Sequence, residues 1–347
     1  MLVAQSLLVI LLLASTTQQA LPIGIIDFYG LRSVTKQQAR QSVGLKEGDA
    51  LPDPWPEFRA RAEGRLKSLP NVTQARVQGV CCDAGKLIIF IGIREKGAPP
   101  LRFRSAPLGK VRLPDKIEKT GEAYSDAITN AVMKGEASED DSHGHSLVAN
   151  AEARALQEVF ITYAAQNLNL LRAVLRGSAD AKHRALAAEI IAYAPNKQDI
   201  VKDLVYGTRD ADSDVRNNSL RALGVIAEFA RSSGERGIKV PLKPFVELLN
   251  SIEWTDRNKA ALALFSLTAS RDPLVLAYLR RRVLQSLVDM SRWNSPGHAQ
   301  YPFIILGRVG NISEEEIQTA WDEGKQESVI ERVLQNSKQH AGRHRKS

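Results

Sequence analysis

The chain has 347 residues, of which 25% are charged and 44% hydrophobic, ordinary globular values that exclude a polypeptide too poor in apolar residues to build a core. It holds two cysteines, adjacent at Cys81 and Cys82, which exclude a long-range disulfide framework, so stability must come from burial. The formal net charge of +8 permits anionic partners, but the basic residues are spread along the chain without interleaved aromatics, which argues against a nucleic-acid surface.

The length allows more than one domain. Residues 1–20 contain an uninterrupted apolar run, Leu7–Ala14. It is short of the roughly 20 residues that span a bilayer. It suits the apolar centre of a signal peptide, with cleavage near Ala20. The first six residues carry no Lys or Arg, a departure from that pattern, and an uncleaved anchor is the alternative. The expectation is export, to the periplasm or cell envelope.

Residues 21–97 read as strand, helix, helix, strand, strand. Ile23–Phe28 is strand-like, Thr35–Val43 a short helix ended by Gly44, and Trp55–Leu69 a second helix with Phe58, Ala62, Leu66 and Leu69 on one face. Val72–Val80 alternates, and after a turn at Cys82–Lys86 comes the β-branched run Leu87–Ile93. This order, with I-x-x-I-x-F-x-G at Ile23–Gly30, L-x-x-G-D near Leu45–Asp49, L-x-x-L-P-x-V at Leu66–Val72 and the apolar run before Glu95, resembles the POTRA (polypeptide-transport-associated) family. The resemblance implies a small α+β domain working outside the cytoplasm beside a membrane, with a sheet edge that accepts an added strand.

Residues 98–150 read as a linker with partial helix. Pro99, Pro100, Pro107 and Pro114 punctuate its first part, Tyr124–Lys134 is helical in pattern, and the acidic, polar stretch after it is expected to bury nothing.

Residues 151–336 repeat one pattern. Ala151–Asn167 is a long amphipathic helix that caps the start. Three residues after Arg184, Arg216 and Arg257 stand Ala187, Ser219 and Ala260, followed in each copy by apolar residues at helical spacing. A first helix precedes each arginine, at Leu168–Leu175, Ile200–Tyr206 and Phe245–Leu249, and a fourth, degenerate pair runs through Leu274–Met290 and Tyr301–Val309. A period of about 30–45 residues with one helix pair each marks an α-solenoid, whose pairs must stack to bury their apolar faces. The run D-x-D-x-x-V-R-x-x-S-L-x-A-L-G at Asp210–Gly224 and its weaker copies resemble the HEAT family, in particular the short HEAT repeats of bilin-lyase-like proteins. That resemblance implies that Arg184, Arg216 and Arg257, with Asp180, Asp212 and Glu253, link one repeat to the next and are scaffold. Residues 337–347 are a basic tail expected to be disordered. The expected fold is therefore multidomain: a small β-α-α-β-β, POTRA-like α+β domain followed by an all-α, HEAT-like solenoid of about four helix pairs.

Three stretches stand out as possible sites. Asp140, Asp141, His143 and His145 have metal-like composition but sit in a polar loop, and a solvated loop is the reading. Arg280-Arg281-Arg282 lies among Leu279, Val283, Leu284 and Leu287, which face the stack; at least two of the arginines then point to solvent, and a solvated helix face is preferred over a phosphate or lipid contact. For adjacent Cys81 and Cys82, one side chain faces the core and the other does not, or a strained vicinal bridge joins them. No catalytic, cofactor-binding or metal-ligating residue is expected. The expected function is an exported, non-catalytic scaffold of the envelope binding a protein partner, one that sits within a membrane-associated complex in a variant of this reading. Envelope protein assembly or export, and a lyase-type enzyme sharing such repeats, are the alternatives; nucleic acid is not expected as a partner.

Overall fold

The computed structural model describes residues 21–343, with only the backbone of Cys82 and of residues 338–343. The expected signal segment lies outside them. The first part is a small α+β unit: β1 (Ile23–Tyr29), α1 (Lys36–Val43), α2 (Trp55–Lys67), β2 (Val72–Asp83) and β3 (Lys86–Glu95). The strand order is β1-β3-β2, with β3 parallel to β1 and antiparallel to β2. Along β3 the side chains alternate between two cores. Ile89, Ile91 and Ile93 join Ile26, Phe28, Ala75 and Val77 beneath α1 and α2. Ile88 and Phe90, with Tyr29 of β1, enter the core of the helical part. A strand buried on both faces reads as an unbroken apolar run, which is why Ile88–Ile93 does not alternate in polarity.

Residues 98–150 are more ordered than a linker. Residues 99–114 lie extended against helix ends of the second part. The Arg104 N–H donates to the Arg209 carbonyl at 2.8 Å, and the Leu113 N–H to His183 Nδ1 at 3.0 Å. Gly109 bridges Ser178, and a Cβ on Gly109 would stand 2.3 Å from the Gly177 oxygen, so this strap needs glycine to lie so close. Helix α3 (Asp115–Lys134) follows, longer than its pattern predicts because Asp115 and Glu118 favour its first turn and Ile117 is buried at its start. The polar stretch then makes a small hairpin of β4 (Glu139–Asp140) and β5 (Leu147–Val148). Its Ser146 is buried, with Oγ donating to Asp141 at 2.5 Å, so the stretch buries polar atoms by pairing them internally.

The helical part begins with α4 (Ala151–Gly177), which is kinked at Asn167, where φ is −124°. The break falls where the sequence pattern passes from the long amphipathic helix to the first repeat helix. Then come α5 (Ala181–Ile191), α6 (Lys197–Gly207), α7 (Ser213–Ser232), α8 (Lys243–Leu248), α9 (Trp254–Leu267), α10 (Pro273–Ser291) and α11 (Pro296–Val309). Helices α4 and α5, α6 and α7, α8 and α9, and α10 and α11 pack as pairs, and α5, α7, α9 and α11 stack on one another in succession. The small and branched residues of the repeat form this layer: Ala187, Ile190, Ser219, Leu223, Ala260 and Leu264 are all buried. Helices α12 (Glu314–Asp322) and α13 (Gln326–Arg343) close the end. The tail expected to be disordered from residue 337 instead continues α13 to Arg343, propagating from the turns that Val329, Ile330 and Val333 anchor.

Candidate functional site

The repeat arginines are buried, and the first two bind across the stack. Arg184 donates from Nε and Nη2 to the two Asp210 oxygens at 3.0 and 2.8 Å, and from Nη1 to the Ser178 and Ala179 carbonyls of the turn before its own helix. Arg216 repeats this one pair later, with Nε on both oxygens of Asp256 at 3.0 and 3.1 Å and Nη1 on the Asp210 and Ala211 carbonyls. The linking acids are thus Asp210 and Asp256. Asp180 and Asp212, expected in that role, cap their own helices, accepting the Lys182 N–H and the Asp214 and Val215 N–H groups respectively. Glu253 turns outward to Arg76 of β2 at 2.6 Å.

The ladder changes at its third step, where the sheet docks. Arg257 also donates to a carbonyl of its own turn, Ser251 at 2.5 Å, but through Nε where its counterparts use Nη1, and among the described residues it makes no hydrogen bond to a carboxylate. Its guanidinium instead lies over the Tyr29 ring, 4.6 Å from the centroid. The sheet also supplies what the last two stacked helices lack. Helices α5 and α7 are capped by their own Asp180 and Asp212, whereas neither α9 nor α11 has a side-chain cap of its own. Gln78 of β2 accepts the Trp254 N–H at the start of α9 at 2.7 Å. Asp27 of β1 accepts the Asn294 and Ser295 N–H groups and the Asn294 side-chain amide at the start of α11. Tyr29 donates its hydroxyl to the Ile252 carbonyl at 2.7 Å. Gly92 of β3 permits the approach, since a Cβ there would lie 2.4 Å from that same carbonyl oxygen.

Beside this contact a cleft of about 180 Å³ opens between the sheet and α10. Six arginines line it: Arg32, Arg94, Arg257, Arg280, Arg281 and Arg282. Among the described residues Asp289 is its single lining acid, accepting the Gly30 N–H at 3.0 Å and the Gln285 side-chain amide at 2.9 Å. Arg94 holds the Pro99 and Asn250 carbonyls through Nη1 and Nη2, but its buried Nε has no partner. Arg257 Nη1, on a side chain only 3% exposed, has none either. Burial pushes both guanidinium groups below their usual pKa. Arg281 and Arg282 are exposed, as the sequence implies, while Arg280 donates to the Val309 carbonyl. The sequence does not mark Arg94 or Arg257 for this place; nothing in a strand-end arginine or a repeat arginine signals that α10 will bring three more beside them.

The remaining candidate stretches serve structure. His145 Nδ1 lies 3.1 Å from Lys197 Nζ and its ring packs on Tyr193, while Asp140 accepts the Ser142 N–H. Among the described residues no group of three His, Cys, Asp or Glu side chains is placed to hold a metal ion. Cys81 is disulfide-bonded. Glu139 of the hairpin pairs with Arg221 of α7, which also faces Glu189 of α5 at 3.7 Å.

His298 of α11 gives the sheet–helix contact a pH dependence. Its ring sits against Phe90 and Trp254, and burial first, then neighbouring Lys259, pushes its pKa down to about 4; Asp83 opposes weakly. The fold therefore favours the neutral imidazole. Its contribution is complete above the unfolded pKa of about 6.5 and is lost as pH falls toward 4. We expect His298→Phe to flatten the stability profile between those limits by on the order of 2 kcal/mol. Urea unfolding of both proteins at pH 4.5 and 7.5 checks this; parallel profiles would place His298 outside the buried contact.

No protein-family model matches the chain, and no curated protein matches its sequence. Among the described residues no helix is long and apolar enough to cross a membrane.

Proposed function

We propose that the chain is an exported, non-catalytic scaffold of the cell envelope that binds protein partners through its surface. In this reading the first part is POTRA-like and the second a HEAT-like solenoid of about four helix pairs. The strand-helix-helix-strand-strand order and the β1-β3-β2 sheet support the first likeness. The observation that carries the reading is the buried arginine ladder, Arg184 to Asp210 and Arg216 to Asp256. It commits Arg184 and Arg216 to holding helix pairs in register, which is what a stacked binding frame requires and a catalytic pocket does not.

The stacked second helices are partly occupied by the chain itself: the hairpin reaches α7 through Glu139, and the sheet covers the starts of α9 and α11. The edge of β2 is also blunted, because the Val77 N–H donates to Glu63 at 3.1 Å. Partner binding then falls to the outer helices α6, α8 and α10. Photocrosslinking residues at exposed Lys202 and Lys243, in the full chain in intact cells, test this. The expected result is a discrete protein adduct in the envelope fraction, on a chain that begins near Leu21. An intact Met1 in the cytoplasm, or no adduct at either position, would contradict the reading.

A further inference from the structure

The charges that the ladder uses for structure leave a remainder at its third step. Arg184 and Arg216 each have a carboxylate; Arg257 has a tyrosine ring and a buried Nη1 without a partner. Contact with the ring offsets part of the cost of burying a guanidinium. It does not account for Arg94, which comes from the other wall with its own unpartnered, buried Nε. Nor does it explain why α10 sets Arg280, Arg281 and Arg282 at the same opening. Uncompensated buried charge costs several kcal/mol, and proteins relieve it with a counter-charge. Here the lone lining acid among the described residues, Asp289, acts on Arg257 through its charge while its hydrogen bonds go to Gly30 and Gln285, and one carboxylate faces six lining arginines.

We propose that this cleft is a binding site for a phosphate group. Arg94, from the end of β3, and Arg257, from α9, line its two walls, and the exposed Arg281 and Arg282 line it from α10. A tetrahedral oxoanion offers several terminal oxygens and up to two negative charges, which suits donors arriving from different directions and more than one unpaired cation. The space of about 180 Å³ takes a phosphate with the groups next to it but is smaller than the roughly 300–1,000 Å³ typical of sites that enclose a drug-sized molecule. The rest of any larger ligand would remain outside, past exposed Arg281 and Arg282. The cleft's rim lies on α10, one of the outer helices assigned above to partner binding, but the crosslinking positions Lys202 and Lys243 lie on α6 and α8, so the two proposals are tested separately.

The same chemistry comes from a free phosphate or from a phospholipid headgroup, and two probes separate them. In the first, the chain from Leu21 onward is titrated with inorganic phosphate at constant ionic strength, chloride serving as control, and the rise in melting temperature is followed. In the second, it is sedimented with vesicles of phosphatidylglycerol in phosphatidylcholine, against pure phosphatidylcholine. Three variants are compared: Arg94→Met, the rim pair Arg281→Met with Arg282→Met, and Arg154→Met on α4 as a remote control. The rim residues are exposed, where substitutions ordinarily change stability little, so a folding failure of Arg94→Met does not remove the test. We expect saturable stabilisation by phosphate, weakened at least tenfold in the rim variant and in Arg94→Met, and unchanged in Arg154→Met. Phosphate binding without vesicle binding assigns a soluble ligand; vesicle binding lost in the rim variant assigns a headgroup. If neither probe distinguishes the rim variant from the unaltered chain, or if phosphate acts no better than chloride and vesicles are not bound, the proposal is overturned.

Discussion

Asp256→Ala is expected to destabilise the protein by about 3–5 kcal/mol, the cost of leaving one partner of a buried ion pair uncompensated. Asp256 is fully buried and accepts both contacts of the Arg216 Nε, as well as the Ser251 hydroxyl at 2.7 Å. Without it, Arg216 keeps its two turn carbonyls and its place over the Phe103 ring, 3.9 Å from the centroid, but loses the carboxylate it is bonded to. The joint change Arg216→Met with Asp256→Leu should be much less damaging than Asp256→Ala alone, because no charge is then stranded. Urea unfolding of the three proteins separates the cases. A loss below about 1 kcal/mol for Asp256→Ala would mean that the ladder does not hold the stack.

Phe90→Ala carries the other large effect, about 3–5 kcal/mol for removing a buried aromatic ring. Phe90 belongs by sequence to the sheet and by packing to the helices. It is fully buried, with its ring centroid 5.1 Å from that of Trp254, 4.9 Å from Trp293 and 5.7 Å from His298. Tyr29 adds an edge contact to Trp293 at 5.7 Å. These rings close one core across the sequence boundary at residue 97, and the caps from Gln78 and Asp27 depend on the same docking. Cutting the chain there would expose Tyr29, Ile88 and Phe90 and uncap α9 and α11. The loss in Phe90→Ala should therefore be felt by the helices and not by the sheet alone.

The elements were largely legible in the sequence because their signals are local. Alternation marked β2, Thr35 and Gly44 bracketed α1, and the spacing around Arg184, Arg216 and Arg257 placed α5, α7 and α9. What escaped was set by contacts between distant segments. Residues 98–114 read as a linker because an extended strap that borrows its partners, such as His183 and Arg209, has no periodicity of its own. The acids of the ladder were misassigned because Asp210 and Asp212 are two residues apart in the same turn, and only the turn's geometry decides which one faces Arg184. The run Ile88–Ile93 carried a clue to docking: a strand with no polar face has two faces to bury. The arginine cleft left the weakest trace, since its walls come from β3, α9 and α10, and the one visible part, Arg280–Arg282, looks like any solvated helix face.

The central structural claim is that sheet and helical array share one core, and scanning calorimetry of the unaltered chain beside Phe90→Ala tests it most directly. A single cooperative transition is expected, with calorimetric and van't Hoff enthalpies equal, that moves as a whole to lower temperature in the variant. Two resolved transitions in the unaltered chain, with only the smaller one moved by Phe90→Ala, would contradict it.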